Sequence, residues 1–417
     1  MFVVLSTIGI GKYEEIEYCW LHGGGGYQIY RTALFPLAAD AFFRPDKLLL
    51  MVTPEAHVHE HYREIERLLG NRLQPVPIPL GRTEDELWEI FDIVSGAVPD
   101  GARVVLDVTH ALRSLPFVIF GVINYLRQTR DIHLERIIYG AYDAREAGPD
   151  GGWRAPVFDL TMLVDLHEWL QAVEAFIVRS EGEKLADLLM EAHRRQWISE
   201  RREGEELPRQ LQKMAGCIKV FSRSVRLLRP LEALSAAAKA QILGREVERE
   251  AARWAKPFGH ILARLTDELT PLSAADTQML DEGGLRCQLF LIKYFLEKDL
   301  IVQAVLMERE WLVNWLAWRA GFGDQWLNLK VRKKLESAMG VAVQKLKREK
   351  PTEESLPSWY SHLTEVDEIT ELWDHLTALR NDVAHCAMND SPASPESISN
   401  RAKEMVQKLE QMLSTVS

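Results

Sequence analysis

The spacing of apolar residues changes once along the chain, near residue 165, and this change constrains the possible fold most strongly. Before it, short apolar runs typical of buried strands alternate with amphipathic segments typical of helices. After Phe158-Asp159-Leu160 the strand signals stop, and helical spacing continues with prolines between its segments. The sequence therefore predicts an α/β amino-terminal domain, with a parallel sheet flanked by helices, followed by an all-α half.

Five strands are predicted in the amino-terminal part, at residues 2–5, 47–52, 75–80, 104–108 and 136–142. Helices are predicted between them at 27–43, 57–69, 83–94 and 114–127, and a hairpin or loop tip at 148–152. Thr83 is placed to cap its helix, with Glu86 reaching back. In such sheets, ligands bind beyond the carboxyl ends of the strands, near the point where the strand order reverses.

Helical segments are predicted in the second half at residues 166–178, 184–197, 209–228, 231–254 and 285–316. Trp311, Trp315 and Trp318 lie three to four residues apart, which favours a core or dimer seam over a base-stacking platform. In the first half, His57, His59 and His61 fall on one predicted helix without sharing a face. No metal site is therefore expected.

The composition excludes several classes of protein. Fifty Lys and Arg against 61 Asp and Glu give a net charge of −11, which argues against coating nucleic acid through bulk positive charge. The four scattered cysteines form no CxxC pair and indicate neither a zinc ribbon nor a disulfide framework, so a reducing cytoplasm is expected. The chain starts with a strand pattern and not a basic leader, and its apolar runs fall short of the ~20 residues that span a bilayer.

Residues 331–350, called the basic strip below, contain an excess of basic residues, although the chain as a whole is acidic. It is compatible with a solvated helix face or with a guide for a polyanion. Its members are Arg332, Lys333, Lys334, Lys345, Lys347, Arg348 and Lys350, against the acids Glu336 and Glu349.

Arg380, Asn381 and His385 lie on one predicted helix near the carboxyl end of the chain. Five residues turn about 500°, so Arg380 and His385 lie roughly 140° apart, whereas Asn381 and His385 share a face. An Arg and a His without an acidic pair suggest metal-free phosphodiester chemistry, because His moves protons and Arg stabilises a phosphorane. RNA would supply its own 2′-OH. The alternative is structural: the same spacing would occur if Arg380 were a solvated surface residue and His385 a buried core residue.

Two polar loops follow predicted strands and contain the candidate ligand-binding residues. These are Ser6, Thr7, Ile8, Gly9 and Gly11 in the first loop, and Thr109, His110, Arg113 and Ser114 in the second. Glycines let a backbone approach a ligand, and helix-start amides with an Arg form an anion cradle. The first loop matches neither the dinucleotide fingerprint nor the Walker loop. Plain strand-to-helix turns, with Asp107 and Thr109 as caps, remain the alternative.

The motifs together resemble known families. The segment DVTHALRSLP at 107–116, with YGAY at 139–142 and VFDL at 157–160, resembles the CARF domain, the Rossmann-like sensor of CRISPR-associated proteins. Arg-Asn-x-x-x-His at 380–385 resembles the catalytic motif of HEPN ribonucleases. The combination resembles the ancillary ribonucleases of type III CRISPR systems. Residues 170–330 have no such resemblance.

The resemblance implies a CARF ligand-sensing domain at 1–165, a helical connector at 166–280 and a HEPN ribonuclease domain at 281–417. It implies a homodimer or higher even oligomer, in which cyclic oligoadenylate, most simply cyclic tetra-adenylate, switches on cleavage of single-stranded RNA. Arg380, Asn381 and His385 would be catalytic, with no metal or cofactor, and the products would carry 2′,3′-cyclic phosphates.

Three other functions stay open on the residues alone. The CARF pocket itself could cleave the activator, with Thr7, Thr109 or His110 aligning the 2′-OH. The chain could instead be a non-catalytic sensor. A nucleotide-dependent oxidoreductase is disfavoured, because the glycine fingerprint is incomplete and an acidic ribose partner is missing at the expected position.

Overall fold

The computed structural model describes residues 1–21, 26–110, 114–148, 151–199, 207–273, 280–347, 356–388 and 390–415. The chain forms two compact units, Met1–Leu166 and His167–Ser417, called unit 1 and unit 2 below. Within the described ranges, no helix combines the length and the apolar character needed to cross a membrane.

Unit 1 is built around a nine-stranded sheet. Its strands are β1 Phe2–Thr7, β2 Ile16–Leu21, β3 Tyr27–Thr32, β4 Lys47–Val52, β5 Leu73–Pro77, β6 Arg103–Asp107, β7 His133–Gly140, β8 Glu146–Ala147 and β9 Trp153–Asp159. The strand order is β3-β2-β9-β7-β6-β1-β4-β5, with β8 beside β9. Parallel pairs predominate, whereas β3, β8 and the β7–β9 pair are antiparallel. The predicted α/β class is confirmed, and the sheet is mixed at one side.

Five helices cover the two faces of this sheet: α1 Phe35–Phe43, α2 Pro54–His57, α3 Glu60–Leu69, α4 Glu84–Ala97 and α5 Leu115–Thr129. Residues of β1 alternate between two cores: Val4 packs with α1 and α3, whereas Val3 and Leu5 pack with α4 and α5. As predicted, Thr83 caps α4 by accepting a hydrogen bond from the Glu86 amide. Glu86 reaches back one residue further, to the Arg82 amide.

Two helix predictions in unit 1 are wrong in part. Residues 27–32 form the edge strand β3, and α1 begins only at Phe35. Ile29, Ala33 and Leu37 have helical spacing, but Ile29 lies in β3 and Leu37 lies in α1, so the spacing does not reflect one helix. The histidine-rich helix at 57–69 is broken after His57, so His59 caps a second helix.

Unit 2 contains helices only among its described elements. They are α6 Met162–Arg179, whose first residues belong to unit 1, α7 Glu183–Ser199, α8 Gln210–Arg226, α9 Pro230–Trp254, α10 Lys256–Leu269, α11 Glu282–Glu297, α12 Ile301–Arg319, α13 Leu329–Lys347, α14 Ser358–Ser361, α15 Val366–Ala384 and α16 Pro395–Ser414. One apolar core runs through them, with Trp311 and Trp315 fully buried in it and Trp318 packed against it. The tryptophan stripe is thus core, as predicted. The separate connector and HEPN domains stay a prediction.

Candidate functional site

The carboxyl ends of β1 and β6 lie side by side in the middle of the sheet. β1 pairs in parallel with β4 on one side and with β6 on the other, so the strand order reverses between β1 and β6. The two loops with predicted ligand-binding residues leave the sheet at this point. Crevices at such reversals are the usual ligand sites of α/β sheets.

A buried carboxylate network ties these strand ends together. The Ser6 hydroxyl donates to Asp107 Oδ2, and the Thr109 amide donates to Asp107 Oδ1 over 2.9 Å. The Thr109 hydroxyl in turn accepts from the Gly140 amide over 2.8 Å. Burial raises the pKa of Asp107 to about 6, although the hydrogen bonds from Ser6 and Thr109 oppose this shift. This network therefore holds the carboxyl ends of β1 and β6 together.

Substituting Asp107 with asparagine is expected to remove a pH dependence of stability. A carboxyl pKa that is raised in the folded state makes the wild-type chain lose stability as pH rises from about 4 to about 6. The rise from 3.8 to about 6 corresponds to about 3 kcal/mol. Urea unfolding of both proteins at pH 4, 5, 6 and 7 measures this. The stability of Asp107→Asn relative to wild type should climb over that range, and a constant difference would contradict the buried charge.

An aromatic stack lies over the first loop. The Tyr13 ring is 4.0 Å from the His110 ring and 4.9 Å from the His61 ring, centroid to centroid. Its hydroxyl lies against Gly9, where an added Cβ would approach it to 2.9 Å. His61 Nδ1 is 3.3 Å from the Gly9 carbonyl oxygen. Tyr13 and His61 were not predicted as site residues, although an aromatic residue just after the Gly9 and Gly11 pair was a signal.

His110 is held in one protonation state. Its Nε2 accepts a hydrogen bond from the amide of Phe35, the first residue of α1, over 3.2 Å. Burial, and to a lesser extent the charge of His61, lower the pKa of His110 to about 4, so the ring is neutral at neutral pH. Because Nε2 is the acceptor, Nδ1 carries the proton. In this arrangement Nδ1–H is available as a donor, and Nε2 is not free to take a proton from a substrate.

The other predicted ligand residues have different surroundings. Thr7 is buried, and within the described chain its hydroxyl has no hydrogen-bond partner. Ile8 belongs to the apolar core, and Gly11 is exposed beside the Tyr13 ring. Ser114 is exposed at the start of α5 without capping it by its side chain. Arg113 lies outside the described residues.

His59, Glu60 and His61 bring ligand atoms within 4.8 Å of one another. His59 Nδ1 already accepts from the His61 amide, 3.3 Å away, as the cap of α3. His61 Nδ1 contacts the Gly9 carbonyl. These bonds give both rings a structural role at the break between α2 and α3.

Arg380, Asn381 and His385 lie at the carboxyl end of α15. The buried face of this helix, which includes Leu376 and Leu379, packs into the core of unit 2. Arg380 is half-buried, and its Nη1 donates to Asn381 Oδ1 over 3.1 Å. His385 is exposed and directly follows the last helical residue. The predicted helix thus ends one residue early, and the triplet lies on an accessible surface.

Several side chains of the basic strip form contacts with other residues of unit 2. Arg332 bonds to Glu310 over 2.6 Å, and Lys347 bonds to Asp374 over 2.6 Å. Lys334 lies 4.9 Å from the Phe322 ring centroid. Arg348 and Lys350 lie outside the described residues. The described part is therefore only partly a solvated face, and it is not a continuous free cationic surface.

Comparison with known proteins relates part of the chain to one of them. No family model matches the chain. It is 29% identical over 192 residues to the CRISPR-associated protein MJ1674 of Methanocaldococcus jannaschii. The matched part makes up 41% of this chain and 28% of the length of MJ1674.

Among solved structures, Csm6 of Enterococcus italicus bound to cyclic hexa-2′-fluoro-hexa-dAMP aligns with 100% of this chain and 94% of its own. At a TM-score of 0.45 and 12% identity, this likeness does not establish a common fold. The relationship to CRISPR-associated proteins that the sequence motifs imply is confirmed over the part of the chain that is similar to MJ1674.

Proposed function

We propose that this chain is a CRISPR ancillary ribonuclease that cleaves single-stranded RNA when cyclic oligoadenylate binds to unit 1. The observation that carries the proposal is the meeting of the two predicted loops at the reversal between β1 and β6. The accessible Arg380, Asn381 and His385 at the end of α15 supply a second, separate group suited to phosphodiester cleavage.

Unit 1 offers a ligand an edge that is already ordered. The Asp107 network holds Thr109 at the start of the second loop, and the Tyr13 ring lies against Gly9 in the first. The Nδ1–H of His110 is a donor there. A cyclic oligoadenylate has phosphates for this donor and bases for aromatic rings. With two copies of the chain, two such edges would surround one ring.

Unit 2 supplies the chemistry. His385 would take the proton of the 2′-OH or position it, and Arg380 would stabilise the charge on the phosphorane. The Asn381 amide, which holds the Arg380 guanidinium in the structure, would keep it aligned until RNA binds. The triplet is exposed at a helix end, so a second copy of α15 would be needed to enclose the phosphate. The bond from the 2′-oxygen to phosphorus forms and the bond from phosphorus to the 5′-oxygen breaks. The 5′-oxygen takes a proton from water and leaves as a hydroxyl, and a 2′,3′-cyclic phosphate results.

Activation requires that the ligand binds one arrangement of the dimer more tightly than the other. A ligand with equal affinity for both arrangements shifts nothing. Single-stranded RNA is the expected substrate because its backbone reaches the in-line geometry that duplex stacking restrains.

A fluorogenic single-stranded RNA assay with EDTA tests the proposal. The full chain is incubated without activator and with cyclic tri-, tetra- and hexa-adenylate, and the activator is examined afterwards for linear products. We expect cleavage with one ring size, most simply the tetramer, and unchanged rates in EDTA. Loss of activity in EDTA would contradict the mechanism. Absence of cleavage by a folded dimer would favour the non-catalytic sensor. Linear activator products would show that the chain cleaves its activator, either in addition to RNA or instead of it.

A further inference from the structure

A cavity with a few polar groups lies in unit 2, and its lining residues are remote in sequence from the Arg380 motif. It has a volume of about 360 Å³, within the usual range of small-molecule sites, about 300–1,000 Å³. Five segments line it: the turn before α9, the first turn of α9, α11, α12, and the chain from Trp326 to Arg332. Its walls are mostly apolar, with Leu231, Met307 and Trp326 among them.

The floor of the cavity is a chain of buried amides held in place by Arg332. Gln288 and Asn314 are only 3% and 4% exposed, although both are fully polar. Asn314 Nδ2 donates to Gln288 Oε1 over 2.8 Å, and Arg332 Nη1 donates to Asn314 Oδ1 over 2.7 Å. Arg332 is fixed further by Glu310 and by the Trp326 carbonyl. This network orients the Gln288 amide.

The Gln288 Nε2 group remains as an unused donor. Among the described residues, none accepts a hydrogen bond from it, whereas Gln288 Oε1 is occupied. Because Gln288 lines the cavity, this donor is within reach of an acceptor on a bound ligand.

The first turn of α9 supplies donors of a second kind at the same cavity. α9 is 25 residues long, begins with Pro230, and has no side-chain cap on its first turn. The Leu231 and Glu232 amides precede the first intrahelical bond, from Ala233 to Arg229. Such amides, with the helix dipole and the Arg229 side chain, favour an anion. The Glu232 carboxylate at the rim opposes it.

We propose that this cavity binds a mononucleotide. Its phosphate would bind at the start of α9 beside Arg229. Its base would lie against the apolar wall and accept a hydrogen bond from Gln288 Nε2. The inference does not depend on the proposed ribonuclease activity, because it uses none of the residues in either loop or in the Arg380 motif.

Titration calorimetry of the full chain with AMP, adenosine and inorganic phosphate tests this inference. We expect AMP to bind at least tenfold more tightly than adenosine or phosphate alone. Arg229→Gln should weaken AMP binding about fivefold or more, and Glu232→Gln should tighten it. Both side chains are exposed, so both variants should fold. Gln288→Glu replaces the donor by an acceptor at equal size and should weaken AMP binding more than tenfold.

The exposed Arg223 on α8, which does not line the cavity, provides the matched control Arg223→Gln. Its AMP affinity should equal that of wild type. Equal AMP affinity in wild type, Arg229→Gln and Glu232→Gln would overturn the proposal, as would absence of AMP binding at millimolar concentration. AMP binding that is lost in Tyr13→Ala and retained in Arg229→Gln would assign the nucleotide to unit 1 and overturn it too. Phosphate binding as tight as AMP would exclude a nucleotide site.

Discussion

Replacing Arg380 or His385 by alanine is expected to lower activator-dependent RNA cleavage at least about 100-fold, while cyclic oligoadenylate binding stays as in wild type. One preorganised donor to a developing negative charge is worth about 10²–10³ in rate, and a general base about 10²–10⁴. Arg380 is half-buried and His385 is exposed, at the end of a helix whose other face holds the core. Neither substitution removes a core contact, so stability should change little. Initial cleavage rates and ligand titrations measure the two functions separately.

His375 provides the control for these substitutions. It lies on the same helix, is exposed, and is not part of the motif, so His375→Ala should cleave RNA like wild type. Wild-type rates in Arg380→Ala or His385→Ala would remove that residue from the mechanism. Loss of ligand binding in either variant, with an unchanged melting temperature, would show that the two units do not act separately as proposed.

The order of β1, β4, β5, β6 and β7 in unit 1 was predictable because local pattern and burial agree there, whereas β2, β3, β8 and β9 were not predicted. β1, β4 and β6 are apolar runs buried on both faces, and the Thr83 cap obeys local hydrogen bonding. β3 was missed because its residues are nearly all exposed at the sheet edge, so no apolar alternation marks it. Its pairing with β2 across a short connection is a contact that periodicity does not record.

The candidate site was predictable to the level of loops and no further. Two loops that follow neighbouring parallel strands must lie at the same edge of the sheet, and the residues of each loop can be listed from the sequence. Which side chains face a ligand depends on tertiary contacts. Ser6 turns inward to Asp107, and Tyr13 inserts between two histidines distant in sequence. The neutral state of His110 likewise follows from a contact with α1.

Replacing Glu308 by methionine is expected to stabilise unit 2. Glu308 lies on α12 with no exposed surface, and within the described chain both its carboxyl oxygens lack a hydrogen-bond partner. Burial raises its pKa well above the ordinary value. An unpaired buried polar group costs about 1–3 kcal/mol, and a charged one costs more. Methionine has a similar length and no polar atom, so Glu308→Met should gain about that amount.

The stability gained in Glu308→Met should depend on pH. The carboxyl of Glu308 ionises near pH 4.3 in the unfolded chain and at higher pH in the folded one, so the folded state holds its proton longer. Wild type must therefore lose stability as pH rises above about 4.3 until the folded pKa is passed, and Glu308→Met must lack that loss. Urea unfolding at pH 5.5 and 8.5, followed by tryptophan fluorescence, should show a larger gain in the free energy of unfolding at pH 8.5.

Glu310, two residues along, provides the control. It is paired with Arg309 and Arg332, so Glu310→Met should bring no gain in stability. A less stable Glu308→Met at pH 8.5 would mean that the carboxylate is paired, because only a compensated charge can be favoured in that core.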